Sequence, residues 1–385
     1  MLLVLCLAFA GQILLIALQL GVPALAPKGP PQLLDFQVFH IAGQLALAGD
    51  LGTAYDPVQF WAHTKALTGS PDRMLWPYPP HFNLVTAPLA LLPLWLSYGV
   101  FTGGSLLFYG LALRRLSGGQ HALVLAMLFP AIMICIRIGQ NAFLVGGLMA
   151  WLASFALAEG TSGARTLAGV PLGLLTVKPQ FLPGIGLYLL LRGEWRIIFA
   201  GGLVAALALA LATLLLGSGV WLDFIHVMGE LSKYLSRGLY QYYRMTSLYA
   251  ALFTLTRDAG LALAGQIGLA GVLAMGLWLA ARRAWPARHL MAAAVMASAV
   301  MTPYGYDYDL PVLGAAIALL APDLAVWGRR AWPLLPLSWL ACFAGLIIRA
   351  VFSEPQPALA VVPVLLLCAA LLVLARTRPA NVDPG

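Results

Sequence analysis

Charge is what this chain has least of. Only 9% of its 385 residues are Asp, Glu, Lys or Arg, while 61% are hydrophobic. A soluble globular chain carries about 25% charged residues, so burial in a protein core cannot absorb this much apolar sequence. The solvent must be lipid. Acidic residues are the scarcer sign, 14 against 22 basic, for a net charge of +8. That excess does not gather into the patch that nucleic-acid binding requires. The arginines instead punctuate the gaps between hydrophobic runs, the positive-inside pattern. Cysteine is rare too: Cys6, Cys135, Cys342 and Cys368 all fall in apolar runs. None has metal-ligand or CxxC spacing, so they read as small hydrophobes rather than a disulfide framework. No P-loop, dinucleotide-binding glycine fingerprint or HExxH is present.

What is there in abundance is the spanning-helix signal, runs of about 20 apolar residues from end to end. With the arginine clusters inside, they sort into about twelve membrane segments. These lie near 3–25, 86–113, 119–136, 141–158, 166–177, 179–191, 197–217, 259–281, 290–302, 309–327, 332–350 and 358–375. The chain reads as one all-α, polytopic membrane domain over 1–385, with both termini in the cytoplasm. The inner face collects Arg114, Arg115, Arg165, Arg192, Arg196, Arg282, Arg283, Arg288, Arg329, Arg330, Arg376 and Arg378, with Glu159, Glu194, Asp323 and Asp383. The remaining charges balance, so the whole +8 is cytoplasmic. The first segment has no basic leader and no clean cleavage site, and reads as a retained helix.

Two outer loops are long, 27–85 and 218–258, while inner loops are short. That asymmetry points to chemistry or binding outside. No internal repeat of the kind found in transporters is visible. The segment 247–258 is too polar for a full span and reads as re-entrant or interfacial. Segments 166–177 and 179–191 are too short to cross a hydrocarbon core of about 30 Å. Between them sits Lys178-Pro179-Gln180, where proline breaks the helix. Broken backbone at membrane depth must face protein or a wet cavity, so Lys178 is expected to point into one.

The first outer loop carries the candidate base, Asp35. One reading is a helix N-cap, since Asp35-Phe-Gln-Val-Phe-His40 opens an amphipathic helix. The other is a general base at the membrane surface, and the roles are compatible. Lys178 could snorkel to the interface or act as a point charge for a phosphate. Arg137, Gln140 and Asn141 form a short outer turn, either a plain polar turn or a site, because juxtamembrane charges are functional candidates. In Met301-Thr-Pro-Tyr304-Gly-Tyr306-Asp307-Tyr308-Asp309 the tyrosines suit an interfacial belt. Asp307 and Asp309 could bind sugar hydroxyls, assist the base or hold a divalent cation. Trp76-Pro-Tyr78-Pro-Pro-His81 reads first as a rigid interfacial turn. His40, Tyr78, Gln180 and Arg244 complete the candidate contacts. No metal ligand set and no cofactor are assigned.

These residues, in order, resemble glycosyltransferase family 87. The resemblance rests on Asp35-Phe-x-Val-Phe-His-x-Ala, Gly49-x-x-Gly-x-x-Tyr55-Asp56, Tyr78-Pro79-Pro80 and Gly139-Gln140-Asn141. It continues through Lys178-Pro179-Gln180, Arg192, Trp195 and Thr302-Pro303. It implies the C-type (GT-C) membrane glycosyltransferase fold, with helices in extracytoplasmic loops and a catalytic Asp in the first of them, here Asp35. It implies a bacterial inner-membrane enzyme with its site facing the periplasm. The reaction would move a hexose such as mannose, with inversion, from a polyprenyl-phosphate donor to a lipid or glycan acceptor. Lys178 and Arg137 would hold the donor phosphate. His40, Tyr78, Gln140, Asn141, Gln180, Arg244, Tyr304, Asp307 and Asp309 would contact sugar or acceptor. Where relatives carry a Trp-x-His-His type sequence after the late proline, this chain has Tyr306-Asp307-Tyr308-Asp309, so no histidine role carries over. The alternatives are a transporter or flippase of lipid-linked sugars, and a polymerase or ligase using a diphosphate-linked donor.

Overall fold

The computed structural model describes residues 1–27, 32–158, 162–354 and 356–377. Glu159, Arg378 and Asp383, assigned above to the inner face, lie outside the described residues. Among those residues the fold is all helix, with one isolated bridge between Met245 and Tyr306 and no strand.

Among the described residues six helices are long and apolar enough to cross a membrane: Leu2–Gly21, Leu94–Leu116, Trp195–Leu216, Ala259–Arg282, Asp307–Ala331 and Leu334–Val351. His121–Met127 and Phe129–Ile138 make a seventh if their 70° bend is counted as one broken span. The sequence led to an expectation of about twelve spans; by length and composition six or seven of the described helices qualify. The other apolar stretches, such as Ala142–Ala156, Ala287–Met301 and Val361–Arg376, are roughly 22–24 Å long at 1.5 Å per residue, short of the hydrocarbon core. The segment expected to start at 86 is two helices, Asn83–Ala90 and Leu94–Leu116, separated at Pro93. The break at Lys178 stands as expected: two 3-10 turns, Leu175–Val177 and Pro179–Phe181, flank it. Asp307–Ala331 is the most enclosed of the six spans, 72% buried, whereas Leu2–Gly21, Trp195–Leu216 and Ala259–Arg282 are only 17% buried and lie at the periphery. This is a multi-pass membrane protein.

The stretch 27–85 is not a loose loop. It folds into helices Asp35–Leu47, Leu51–Tyr55 and Pro57–Thr68 around its own core. Phe39 meets Trp76, Tyr78, Phe82 and Phe101 edge-on at 5.3–5.8 Å, and Phe36 packs on Tyr98 and Phe101 at 5.6 Å. Fully burying one such ring contributes roughly 1.5–3 kcal/mol. The aromatic cluster therefore anchors the Asp35 helix to the rigid span Leu94–Leu116.

The second long stretch, 218–258, holds helix Val220–Ser236, turn Tyr242–Arg244 and helix Leu248–Thr256. Val220–Ser236 has three faces. Val220, Val227 and Leu231 are buried against protein. Asp223, His226, Glu230 and Lys233 form a charged row at helical spacing. Leu222, Ile225 and Met228 are exposed. Only Gly217, Ser218 and Gly219 separate this helix from the span ending at Leu216, and Trp221 Nε1 donates to Thr213 Oγ1 on that span at 2.9 Å. The exposed apolar face continues the lipid-facing surface of the span, as an interfacial helix requires. Leu248–Thr256 is nine residues long and folds back onto Ala259–Arg282 at Arg257 (φ 58). It is a hairpin arm rather than a span.

Candidate functional site

The site begins where Asp35 enters its helix. Asp72 Oδ2 accepts from the Leu33 amide at 2.8 Å, and Gln37 Oε1 accepts from the Leu34 amide at 2.8 Å. The cap position is therefore Leu34, and Asp35 is the first helical residue. This corrects the N-cap reading. Because Gln37 satisfies the helix end, the Asp35 carboxylate is free to face elsewhere, still near the positive end of the helix.

It faces Gln140, whose Nε2 donates to Asp35 Oδ2 at 2.8 Å across 105 residues of sequence. Gln140 is itself fixed: its Oε1 accepts from the Tyr78 hydroxyl at 3.1 Å and from the Asn141 amide at 3.2 Å. Tyr78 is held in turn by Tyr55, whose hydroxyl donates to the Tyr78 carbonyl at 2.9 Å. Gly139 makes the approach possible. It sits at φ +71, and a Cβ there would stand 2.5 Å from the Phe36 Cβ. A side chain at 139 would clash with Phe36 and strain the turn that aims Gln140.

Two buried ion pairs lie beside this carboxylate. Lys178 Nζ donates to Asp309 Oδ1 at 2.6 Å, both groups enclosed. Arg244 grips Asp307 with both arms, Nε to Oδ2 at 2.9 Å and Nη2 to Oδ1 at 2.8 Å. Between the cations lies Tyr308, with Lys178 Nζ 5.7 Å and Arg244 Cζ 5.5 Å from its ring centre. Tyr306 stacks on Tyr308 at 5.1 Å. The Thr246 amide donates to the Gly305 carbonyl at 2.8 Å, which ties the Arg244 turn to the Asp307 segment. Two bound cations against Asp35, Asp307 and Asp309 leave the cluster with a formal charge of −1.

This environment sets the ionisation of Asp35. Loss of solvent around the carboxyl raises it from its ordinary 3.8 to about 6, against the lowering pull of the Gln140 hydrogen bond and the Arg244 and Lys178 charges, while Asp309 pushes it further up. A carboxyl near 6 is ionised at neutral pH yet more basic than an ordinary Asp, which suits a general base. The raised value means the fold favours the protonated form. Asp35 therefore contributes stability below pH 3.8 that is lost as pH rises through about 6. If Asp35 is the base, kcat/KM should fall about tenfold per pH unit below about 6 and level off above it. A profile flat from pH 5 to 8 would remove Asp35 from that role.

The structure brings together Asp35, Tyr78, Gln140, Lys178, Arg244, Asp307 and Asp309. Asn141 lies among them, fully buried, with neither side-chain polar atom partnered. Tyr304 stands at the edge of the group, packed on Tyr240 and Tyr306. His40 stands apart from the group. Its Nε2 lies 3.0 Å from the Leu92 carbonyl and it is buried. Five residues along a helix turn it roughly 140° away from Asp35, and its ring ties the helix to the Leu92 carbonyl. Gln180 is half-buried and bonds to none of these residues. Arg137 is exposed and makes no ion pair among the described residues. Lys178, expected as a counter-charge for a phosphate, is paired with Asp309. Its ammonium carries three donors, of which Asp309 takes one.

Asp307 and Asp309 are each paired with their own cation. Among the described residues no group of three or more His, Cys, Asp or Glu gathers as a metal ligand set. The sequence reading missed Tyr308, the ring between the two cations. The signal was present in the alternation Tyr306-Asp307-Tyr308-Asp309, which places both acids on the same turn with a ring between them.

Fold and site together define a multi-pass membrane protein with a buried cluster of paired charges and a poised carboxylate at one end of its helices. The family model of glycosyltransferase family 87 matches residues 76–303. The chain belongs to that family and is a glycosyltransferase. The match includes Tyr78, Gln140, Asn141, Lys178 and Arg244, while Asp35, Asp307 and Asp309 lie outside it. No curated protein and no solved structure matches the chain.

Proposed function

We propose that the enzyme moves a hexose, such as mannose, from a polyprenyl-phosphate donor to a hydroxyl of a lipid or glycan acceptor. The site would face the periplasm of a bacterial inner membrane, the side that the charge distribution leaves with no net charge. The observation that carries the reading is Asp35: a carboxyl near pKa 6, held by Gln140, next to the two cations Lys178 and Arg244.

Asp35 takes the proton of the acceptor hydroxyl as that oxygen bonds to the anomeric carbon. The bond from that carbon to the donor phosphate oxygen breaks, and its electron pair stays on the phosphate. Attack opposite the leaving group inverts the anomeric centre. Lys178 keeps two donors beyond Asp309, and Arg244 keeps its Nη1 group beyond Asp307. Both can stabilise charge that builds on the departing phosphate, where preorganised donors act most strongly. Arg137, exposed and without an ion pair among the described residues, is the reserve cation for the same phosphate. Gln140, Asn141, Tyr78 and Tyr304 are placed to bind sugar hydroxyls, Asn141 with two polar atoms still free. Holding both substrates at one centre lowers the entropic barrier.

The transporter alternative gives way to the family assignment. The test uses purified protein, labelled polyprenyl-phosphate-mannose and a membrane lipid extract as acceptor. Labelled glycolipid is the expected product. Silence with the mannose, glucose and arabinose donors, together with turnover of a diphosphate-linked donor, would replace this reading with the polymerase or ligase one.

A further inference from the structure

A second charged cavity opens at the other end of the same helices. Gln140 and Asn141 sit at the start of helix Ala142–Ala156, and Leu157 and Ala158 follow its end, roughly 22 Å away. There a cleft of about 600 Å³ is lined by Arg115, Ser154 and Arg288 on its polar side and by Leu116, Leu157 and Leu319 on its apolar side. The transfer reaction has no use for any of these groups.

Four features of the cleft converge on one ligand chemistry. Arg115 makes no ion pair among the described residues; its guanidinium only rests 5.8 Å from the Trp151 and Phe155 ring centres. Arg288 spends Nη2 on both oxygens of Asp323 at 2.8 Å, and His289 Nε2 lies 3.0 Å from the same carboxylate. Asp323 is thereby neutralised, while Arg288 retains Nε and Nη1. Ser154 is only 7% exposed, lines the cleft and has no hydrogen-bond partner among the described residues. The helix Ala287–Met301 starts in the wall of the cleft, so its first amides lack intrahelical partners and its positive end faces the cavity. Two guanidinium groups, a hydroxyl in the cleft wall and a helix start select an oxyanion with several acceptor oxygens. The leucine walls add a place for a hydrocarbon chain.

We infer that this cleft binds the phosphate of an anionic lipid headgroup, with the acyl portion along Leu116, Leu157 and Leu319. Basic pockets between helices at the positively charged face of a membrane protein are suited to such lipids. The site is independent of Asp35, so its occupancy reports on membrane lipid and not on donor or acceptor.

The test is a native mass-spectrometric titration of the full chain in detergent with dihexanoyl phosphatidylglycerol, dioctanoylglycerol and inorganic phosphate as separate probes. The wild type is expected to bind the phosphatidylglycerol and not the uncharged glycerolipid. Arg115→Gln, which removes the unpaired cation, and Ser154→Leu, which fills the cavity, are each expected to weaken binding about tenfold. Arg329→Gln, on the same face but outside the cleft, is expected to leave it unchanged. Equal binding of both lipids by the wild type overturns the proposal. So does an equal loss in Arg329→Gln, which would mean general surface charge. Competition by inorganic phosphate at the same concentration as the lipid would reassign the cleft to a free phosphate. Transfer activity measured on the same preparations keeps this result separate from the proposed reaction, since lipid binding can fail while turnover persists.

Discussion

Asp35→Asn is expected to abolish sugar transfer, with a loss of at least a thousandfold in kcat, while donor binding survives. General-base assistance alone contributes about 10²- to 10⁴-fold. The amide keeps the size of the carboxylate, and its oxygen can still accept from Gln140 Nε2. The aromatic cluster that fixes the helix, Phe36 and Phe39 against Tyr98, Trp76 and Phe101, is untouched. The same substitution carries a second, opposite expectation. Asp35 is raised to about 6 by loss of solvent, so its ionised form weakens the fold at neutral pH. Asp35→Asn should therefore unfold at the wild-type temperature or slightly above it. An inactive protein of undiminished stability identifies a functional group, because a structural carboxylate would show the reverse. Wild-type turnover by the variant would end the assignment of Asp35 as base.

The second large effect concerns Lys178 and Asp309. Both are enclosed, and their 2.6 Å contact is a buried ion pair. Removing one partner leaves an uncompensated charge in a medium that solvates it poorly, at a cost of about 3–5 kcal/mol. Lys178→Ala and Asp309→Ala should each lower the unfolding midpoint in detergent sharply. Replacing both at once, Lys178→Met with Asp309→Leu, removes the charges together. Such replacements are often neutral or stabilising by about 1–4 kcal/mol. The double variant should recover much of the stability yet remain inactive, because the phosphate loses its cation. Recovery of stability without recovery of turnover separates the structural work of the pair from its electrostatic work in catalysis. Single variants as stable as the wild type would show that the pair is solvated and not buried.

Much of this was legible along the chain, for reasons of local physics. Apolar runs declare their solvent. Pro179 next to Lys178 announces broken backbone at depth, and the 3-10 turns are there. Span lengths were less legible. A run that continues through Pro93 in hydropathy is interrupted in geometry, and the 70° bend at Leu128 and Phe129 falls beside Pro130, in a run that is apolar throughout. His40 shows the limit of reading by residue type. A histidine five positions after the candidate base looks like a site residue in a string of letters, but helical rotation carries it to the Leu92 carbonyl.

By itself the sequence determined the solvent, the helical class, the family and the inventory of charged side chains at the breaks. Those properties depend on composition, short-range periodicity and ordered local motifs. Which polar groups meet depends on how the helices pack. Asp35 finds Gln140 across 105 residues, Lys178 finds Asp309 across 131, and Arg244 finds Asp307 across 63. No local rule encodes such pairings. They arise because an apolar bundle leaves few places where a charge can be satisfied. Helix packing brings those places together, at one end around Asp35 and at the other around Asp323.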